Sequence, residues 1–106
     1  MSDDIQEKIQ RLQSIEQSLQ SFATQHQSIR SQLLESESAL RELEKGDDAY
    51  KIIGSIMVLQ PKEKLVSDLK EKETSLRARL TKVQNQENGL RKEAESLQKE
   101  IMKVKE

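Results

Sequence analysis

Two long heptad-like series dominate this chain, and they share one mirror point. The first runs Ile5, Ile9, Leu12, Ile15, Leu19, Phe22, His26, Ile29, Leu33, Ser36, Leu40, Leu43. From Leu12 onward its steps alternate three and four residues, the spacing of a coiled-coil seam. Before Leu12 the phase is ambiguous, because Ile9 and Leu12 fit one register and Ile5 fits the later one. The second series runs Val66, Leu69, Glu73, Leu76, Leu80, Val83, Glu87, Leu90, Ala94, Leu97, Ile101, Val104. Its steps alternate without a break, even through Asn88-Gly89, a dipeptide that is turn-like by composition. Reflection about Gly54-Ser55 sets Leu40 against Leu69, Ile29 against Leu80, His26 against Val83 and Leu12 against Leu97. A shared mirror point is what one intramolecular helical hairpin requires. At ~1.5 Å per residue each helix spans about 60 Å.

The mirror point lies inside the most apolar run of the chain, Tyr50-Lys51-Ile52-Ile53-Gly54-Ser55-Ile56-Met57-Val58-Leu59. β-Branched residues are dense on both sides of Gly54-Ser55. A two-residue loop with Gly first suits a type II′ turn, since Gly accepts positive φ without steric cost. Alternation then points Tyr50, Ile52, Met57 and Leu59 to one side, and Lys51, Ile53, Ile56 and Val58 to the other. Both faces are rich in apolar groups. An isolated two-stranded hairpin is marginal in water, and its open edges are templates for pairing. The reading is assembly through Tyr50, Ile52, Ile53, Gly54, Ile56, Met57, Val58 and Leu59.

The expected architecture is therefore mainly α: an antiparallel two-helix coiled coil with one central β-hairpin that joins an oligomeric β-barrel. The expected bounds are about 4–45 for the first helix, 50–59 for the hairpin and 61–105 for the second helix, within a single domain of 1–106. Ser2, Asp3 and Asp4 are N-cap candidates for the first helix. Gly46 suits a left-handed position at its end. Pro61 suits the first turn of the second helix. The seam carboxylates Glu73 and Glu87 are expected to tilt outward.

Composition narrows the function classes. Charged residues make up 35% of the 106 residues, yet the formal net charge is −1. Acids and bases alternate, so the basic patch of a nucleic-acid surface is missing. No apolar stretch approaches the ~20 residues of a membrane span. The acidic start Met1-Ser2-Asp3-Asp4 is unlike a signal peptide, and a cytoplasmic protein is expected. There is no cysteine for a thiolate site, and the three glycines are scattered rather than gathered into a phosphate loop. His26, the one histidine, has no set of acids around it; Glu87 is the nearest expected across the seam. No catalytic residues, metal site or cofactor are read from the chain.

The free ends carry a different signal. Ile5, Ile9 and Leu12 start one helix, and Leu97, Ile101, Met102 and Val104 end the other. The antiparallel register brings the two groups together. Ile9 and Met102 fall outside the strict seam and are expected to be exposed. Apolar groups on such tips, with methionine as an adaptable contact, suit sequence-tolerant binding.

Helix, single hairpin and helix, with Tyr50-Lys51-x-x-Gly54-x-x-x-Val58 in the apolar run and Lys62 and Glu63 after it, resemble a β-type prefoldin subunit over nearly the whole length. The compact size resembles archaeal subunits. That resemblance implies a hetero-hexamer of two α-type and four β-type subunits, with the hairpins in a double β-barrel platform. It implies a molecular chaperone that captures non-native client proteins at Ile5, Ile9, Leu12, Leu97, Ile101, Met102 and Val104 without ATP. It also implies delivery to a group II chaperonin. A structural coiled-coil adaptor linking defined protein partners is the other function that fits such a chain.

Overall fold

A computed structural model describes residues 2–46 and 48–105, with the side chains of Ser2, Val104 and Lys105 outside the description. The elements run α1 (Ser2–Lys45), β1 (Ala49–Ile53), β2 (Ile56–Gln60) and α2 (Lys62–Lys105). Each helix has 44 residues. The two strands pair antiparallel, with Tyr50 opposite Leu59, Ile52 opposite Met57 and Ile53 opposite Ile56. This is the mirror register about Gly54-Ser55. Gly54 has a φ of 62° and no described non-glycine residue has a positive φ. A positive angle at the first loop residue alone is the type II′ requirement.

Several local expectations need correction. α1 begins at Ser2, so Asp3 and Asp4 lie inside its first turn. There their carboxylates meet the positive helix end instead of capping from outside it. Pro61 precedes α2 and accepts bonds from the Lys64 and Leu65 amides at 3.1 and 3.3 Å. It thus occupies the capping position, where a residue without an N–H loses no helical bond. Gly46 is not left-handed. Its amide donates to the Glu42 carbonyl at 3.1 Å and so continues the helical pattern by one more bond.

The chain divides into two compact units, residues 28–80 and residues 1–27 with 81–106. In the unit of residues 28–80, Ile29, Leu33 and Ser36 from α1 and Leu76 from α2 are buried, while Leu40, Leu43, Val66 and Leu69 are half-buried. All of these are seam positions. Arg77 draws the two helices together, donating to Glu73 at 2.6 Å and reaching Glu37 at 3.5 Å. The hairpin springs from a closed corner. Ala49 is buried to 4% exposure, and Lys62 Nζ donates to the Gly46 carbonyl at 3.0 Å.

In the other unit, Ile15 and Val83 are buried, and Ile5, Leu12, Leu19, Phe22, Leu90, Ala94, Leu97 and Ile101 are half-buried. The ambiguous phase before Leu12 is settled by Lys8. It is half-buried at the seam position between Ile5 and Leu12, and its ammonium pairs with Glu100 at 3.2 Å. The lysine stem covers apolar surface while its head stays in water. Ile9 is left off the seam.

Candidate interaction surfaces

The sites named from sequence are surfaces rather than clefts. In the hairpin, Tyr50, Ile52, Ile53, Ile56, Met57, Val58 and Leu59 are all exposed large side chains, and Gly54 holds the turn. Single exposed apolar residues on a protein surface are ordinary, but a contiguous run on both faces of a hairpin is not. Among the described residues the strands pair only with each other, so each keeps one edge open.

At the free helix ends, sequence expectation and structure meet in part. Ile9 is 39% exposed and Met102 66% exposed, both off the seam. Ile5, Leu12, Leu97 and Ile101 are half-buried in seam packing. They are brought together with Ile9 and Met102 by the antiparallel run of α1 and α2, pinned by Lys8–Glu100 and by Arg11–Glu93. The side chain of Val104 lies outside the described residues. Arg11 makes a two-point contact, Nε to Oε1 at 3.0 Å and Nη2 to Oε2 at 2.8 Å. Those hydrogen bonds, with the charge of Arg11, hold the Glu93 carboxyl below its usual range. The same bonds raise the guanidinium.

One polar cluster departs from the sequence reading. Glu87 does not tilt outward; it is only 5% exposed. Its Oε1 lies 3.1 Å from His26 Nδ1 and its Oε2 accepts from Arg91 Nη2 at 3.3 Å. A buried carboxylate needs such partners, because an unpaired one is too costly to keep charged. The heptad steps alone assign Glu87 to the seam. Only the i, i+4 spacing to Arg91 and a histidine, His26, one turn along the opposite helix from its mirror partner Phe22 signal that it stays there. A polar cleft of about 360 Å³ opens beside it, lined by His26, Gln84, Asn85, Glu87, Asn88 and Arg91. Its one buried acid is already satisfied by two bases. Among the described residues there is no group of three acids, histidines or cysteines placed to hold a metal ion. Among them, too, no helix is long and apolar enough to cross a membrane.

An open concavity of about 870 Å³ follows one flank of α2 from Lys62 to Ser75. Lysines and glutamates alternate along it, and nothing converges from a second element.

Known proteins have the same arrangement. The family model for a prefoldin subunit matches residues 6–106. The prefoldin subunit beta of Archaeoglobus fulgidus is 37% identical over 99 residues, covering 90% of this chain and 85% of that protein. The prefoldin subunit beta of Methanosarcina acetivorans is 38% identical over 103 residues, covering 94% and 88%. The crystal structure of the prefoldin beta subunit from Thermococcus strain KS-1 superposes with a TM-score of 0.88 at 32% identity, covering 95% of this chain and 91% of that one. The chain belongs to the prefoldin subunit family. These relatives and the solved structure are named beta subunits, and the solved one shares this chain's fold of two long helices joined by a hairpin. Membership puts the chain among chaperone subunits and not among enzymes.

Proposed function

We propose that this chain is a β-type subunit of an ATP-independent chaperone, one that holds non-native proteins at its helix ends and passes them to a group II chaperonin. The observation that carries the reading is the hairpin, which leaves seven large apolar side chains in water on a chain similar to proteins named subunits. Such a hairpin is stable only when other strands and side chains cover it. Its partners in this reading are α-type prefoldin subunits, in a cytoplasmic hexamer of two α and four β, with the hairpin residues Tyr50 to Leu59 supplying the shared platform. Residues 1–106 act there as one prefoldin-like domain.

Client contact is assigned to Ile5, Ile9, Leu12, Leu97, Ile101, Met102 and Val104. The exposure of Ile9 and Met102 supports the assignment for those two. Ile5, Leu12, Leu97 and Ile101 contribute as helix ends fray and half-buried seam groups open. Each contact is weak, and repetition over several subunits multiplies them into useful avidity.

The test is suppression of aggregation of a chemically unfolded protein by the assembled complex. With Ile9→Ser and Met102→Ser together in this subunit, protection at equal complex concentration is expected to fall. Unchanged protection would remove these two residues from the mechanism. A complex that binds one folded protein and ignores unfolded ones would replace the chaperone reading with that of a structural adaptor.

A further inference from the structure

The start of α1 and the end of α2, together the distal ends, lack a fully buried layer. Ile15 is 0% exposed. Outward of it on α1, and outward of Glu87 on α2, no described side chain is fully buried, and the seam groups are half-buried at best. Two cross-helix ion pairs lie in this segment. Lys8 Nζ is 3.2 Å from Glu100 Oε2, and Arg11 donates twice to Glu93, at 3.0 and 2.8 Å. Helical spacing sets both pairs along one flank of the seam. Arg11 precedes the seam residue Leu12 by one position, and Glu93 and Glu100 precede Ala94 and Ile101 by one. Ile9 and Met102 each follow a seam residue by one, Lys8 and Ile101, and so lie on the opposite flank. The distal seam thus has an ionic edge on one side and an apolar edge on the other.

Exposed ion pairs add little to a well-buried core, but here they act on a small quantity. Helix ends open locally with free energies that approach zero, so even a weak tie between them changes the open fraction several-fold. Opening this segment breaks both pairs. It also bares Ile5, Leu12, Leu97 and Ile101 to water beside Ile9 and Met102. Resting on the reading that these ends hold non-native proteins, we propose that Lys8–Glu100 and Arg11–Glu93 form an ionic clasp. The clasp limits opening of the distal ends and so sets how much apolar surface a client meets. The fully buried Ile15 marks where opening stops. Added salt loosens the clasp, because both pairs stand in water and are screened.

Glu93→Gln/Glu100→Gln tests this, since it removes both attractions with little change in shape or helix propensity. Amide hydrogen exchange of the full-length chain, free of client, reads the clasp itself. At low salt, exchange in residues 2–14 and 90–105 is expected to quicken about two- to tenfold in the variant, with residues 28–80 unchanged. Added salt should quicken the wild type toward the variant and leave the variant nearly as it was. Swapping the charges, with Lys8→Glu/Arg11→Glu/Glu93→Arg/Glu100→Lys, should restore slow exchange. In the assembled complex at low salt, the Gln variant should suppress aggregation of a chemically unfolded protein at a lower concentration than wild type. Unchanged distal exchange, equal quickening throughout the chain, or a charge swap that restores nothing overturns the clasp. Quicker distal exchange with unchanged or weaker protection overturns its control of client contact. The client reading then still stands if Ile9→Ser/Met102→Ser lowers protection. If neither double substitution alters protection, the client assignment falls along with the inference.

Discussion

Glu87 sits where a heptad seam wants leucine, and its two basic partners make that tolerable. His26 lies 3.1 Å from one oxygen and Arg91 lies 3.3 Å from the other, with the carboxylate almost wholly buried. Truncation and apolar replacement should therefore act in opposite directions. Glu87→Ala leaves His26 without its bond and opens a gap, and is expected to lower stability by about 1–3 kcal/mol. Replacing both seam partners, as in His26→Leu/Glu87→Leu, removes the buried polar pair and fills the seam, and is expected to be neutral or stabilising by about 1–4 kcal/mol. Thermal unfolding followed by circular dichroism separates the two. Gly89 offers a second single-residue test. A Cβ built there meets nothing within 4 Å. Nothing in the surrounding structure asks for glycine at this helical position, so Gly89→Ala should raise stability by about 1 kcal/mol. A fall instead would mean that the added methyl disturbs packing that the open space does not reveal.

At the scale of elements, the ion pairs flanking the seam make a pH-dependent contribution whose sign can be worked out. Arg11 lowers the Glu93 carboxyl through hydrogen bonds and charge. A carboxylate depressed on folding contributes stability that is present above its unfolded value and is lost as pH falls through the folded one. The melting temperature of wild type should thus exceed that of Arg11→Met at neutral pH, and the gap should close on acidification below the ordinary carboxylate range. Because the pair is exposed, added salt should narrow the gap as well. A gap that persists in acid would assign the difference to lost packing of the Arg11 stem. These elements were mostly legible in the sequence. Heptad steps fix the seam, and Gly54-Ser55 fixes both the turn and the register, since a one-residue slip would exchange the hairpin faces. What the sequence hid is polar. Lys8 carries a charge, yet its stem fills the seam position that hydrophobicity alone would give to the neighbouring Ile9. Glu87 has the same difficulty in reverse, because partners four residues away and across the seam decide its burial. For the surfaces, alternation finds both hairpin faces but not their unequal cover, which depends on how the corner at Ala49 and Lys62 closes.

For the molecule as a whole, the buried core is thin and the hairpin is open, so stability should depend on what the chain is bound to. Association that covers the folded chain and not the unfolded one raises the unfolding temperature by mass action. The melting temperature of the purified chain is expected to rise with concentration, and that dependence should be lost when Ile52 and Met57 are both threonine. A concentration-independent melting temperature in wild type would show that the fold needs no partner to stand. The equal length of the two helices on either side of one turn has a further consequence. Both helices are 44 residues long and are matched outward from one turn. Adding seven residues to α1 alone leaves a greasy overhang with nothing opposite, while adding seven to each extends the zipper by two more layers. Length in this design is therefore inherited in matched pairs of heptads, and a relative with longer helices should show its insertions at equal distances on either side of the turn.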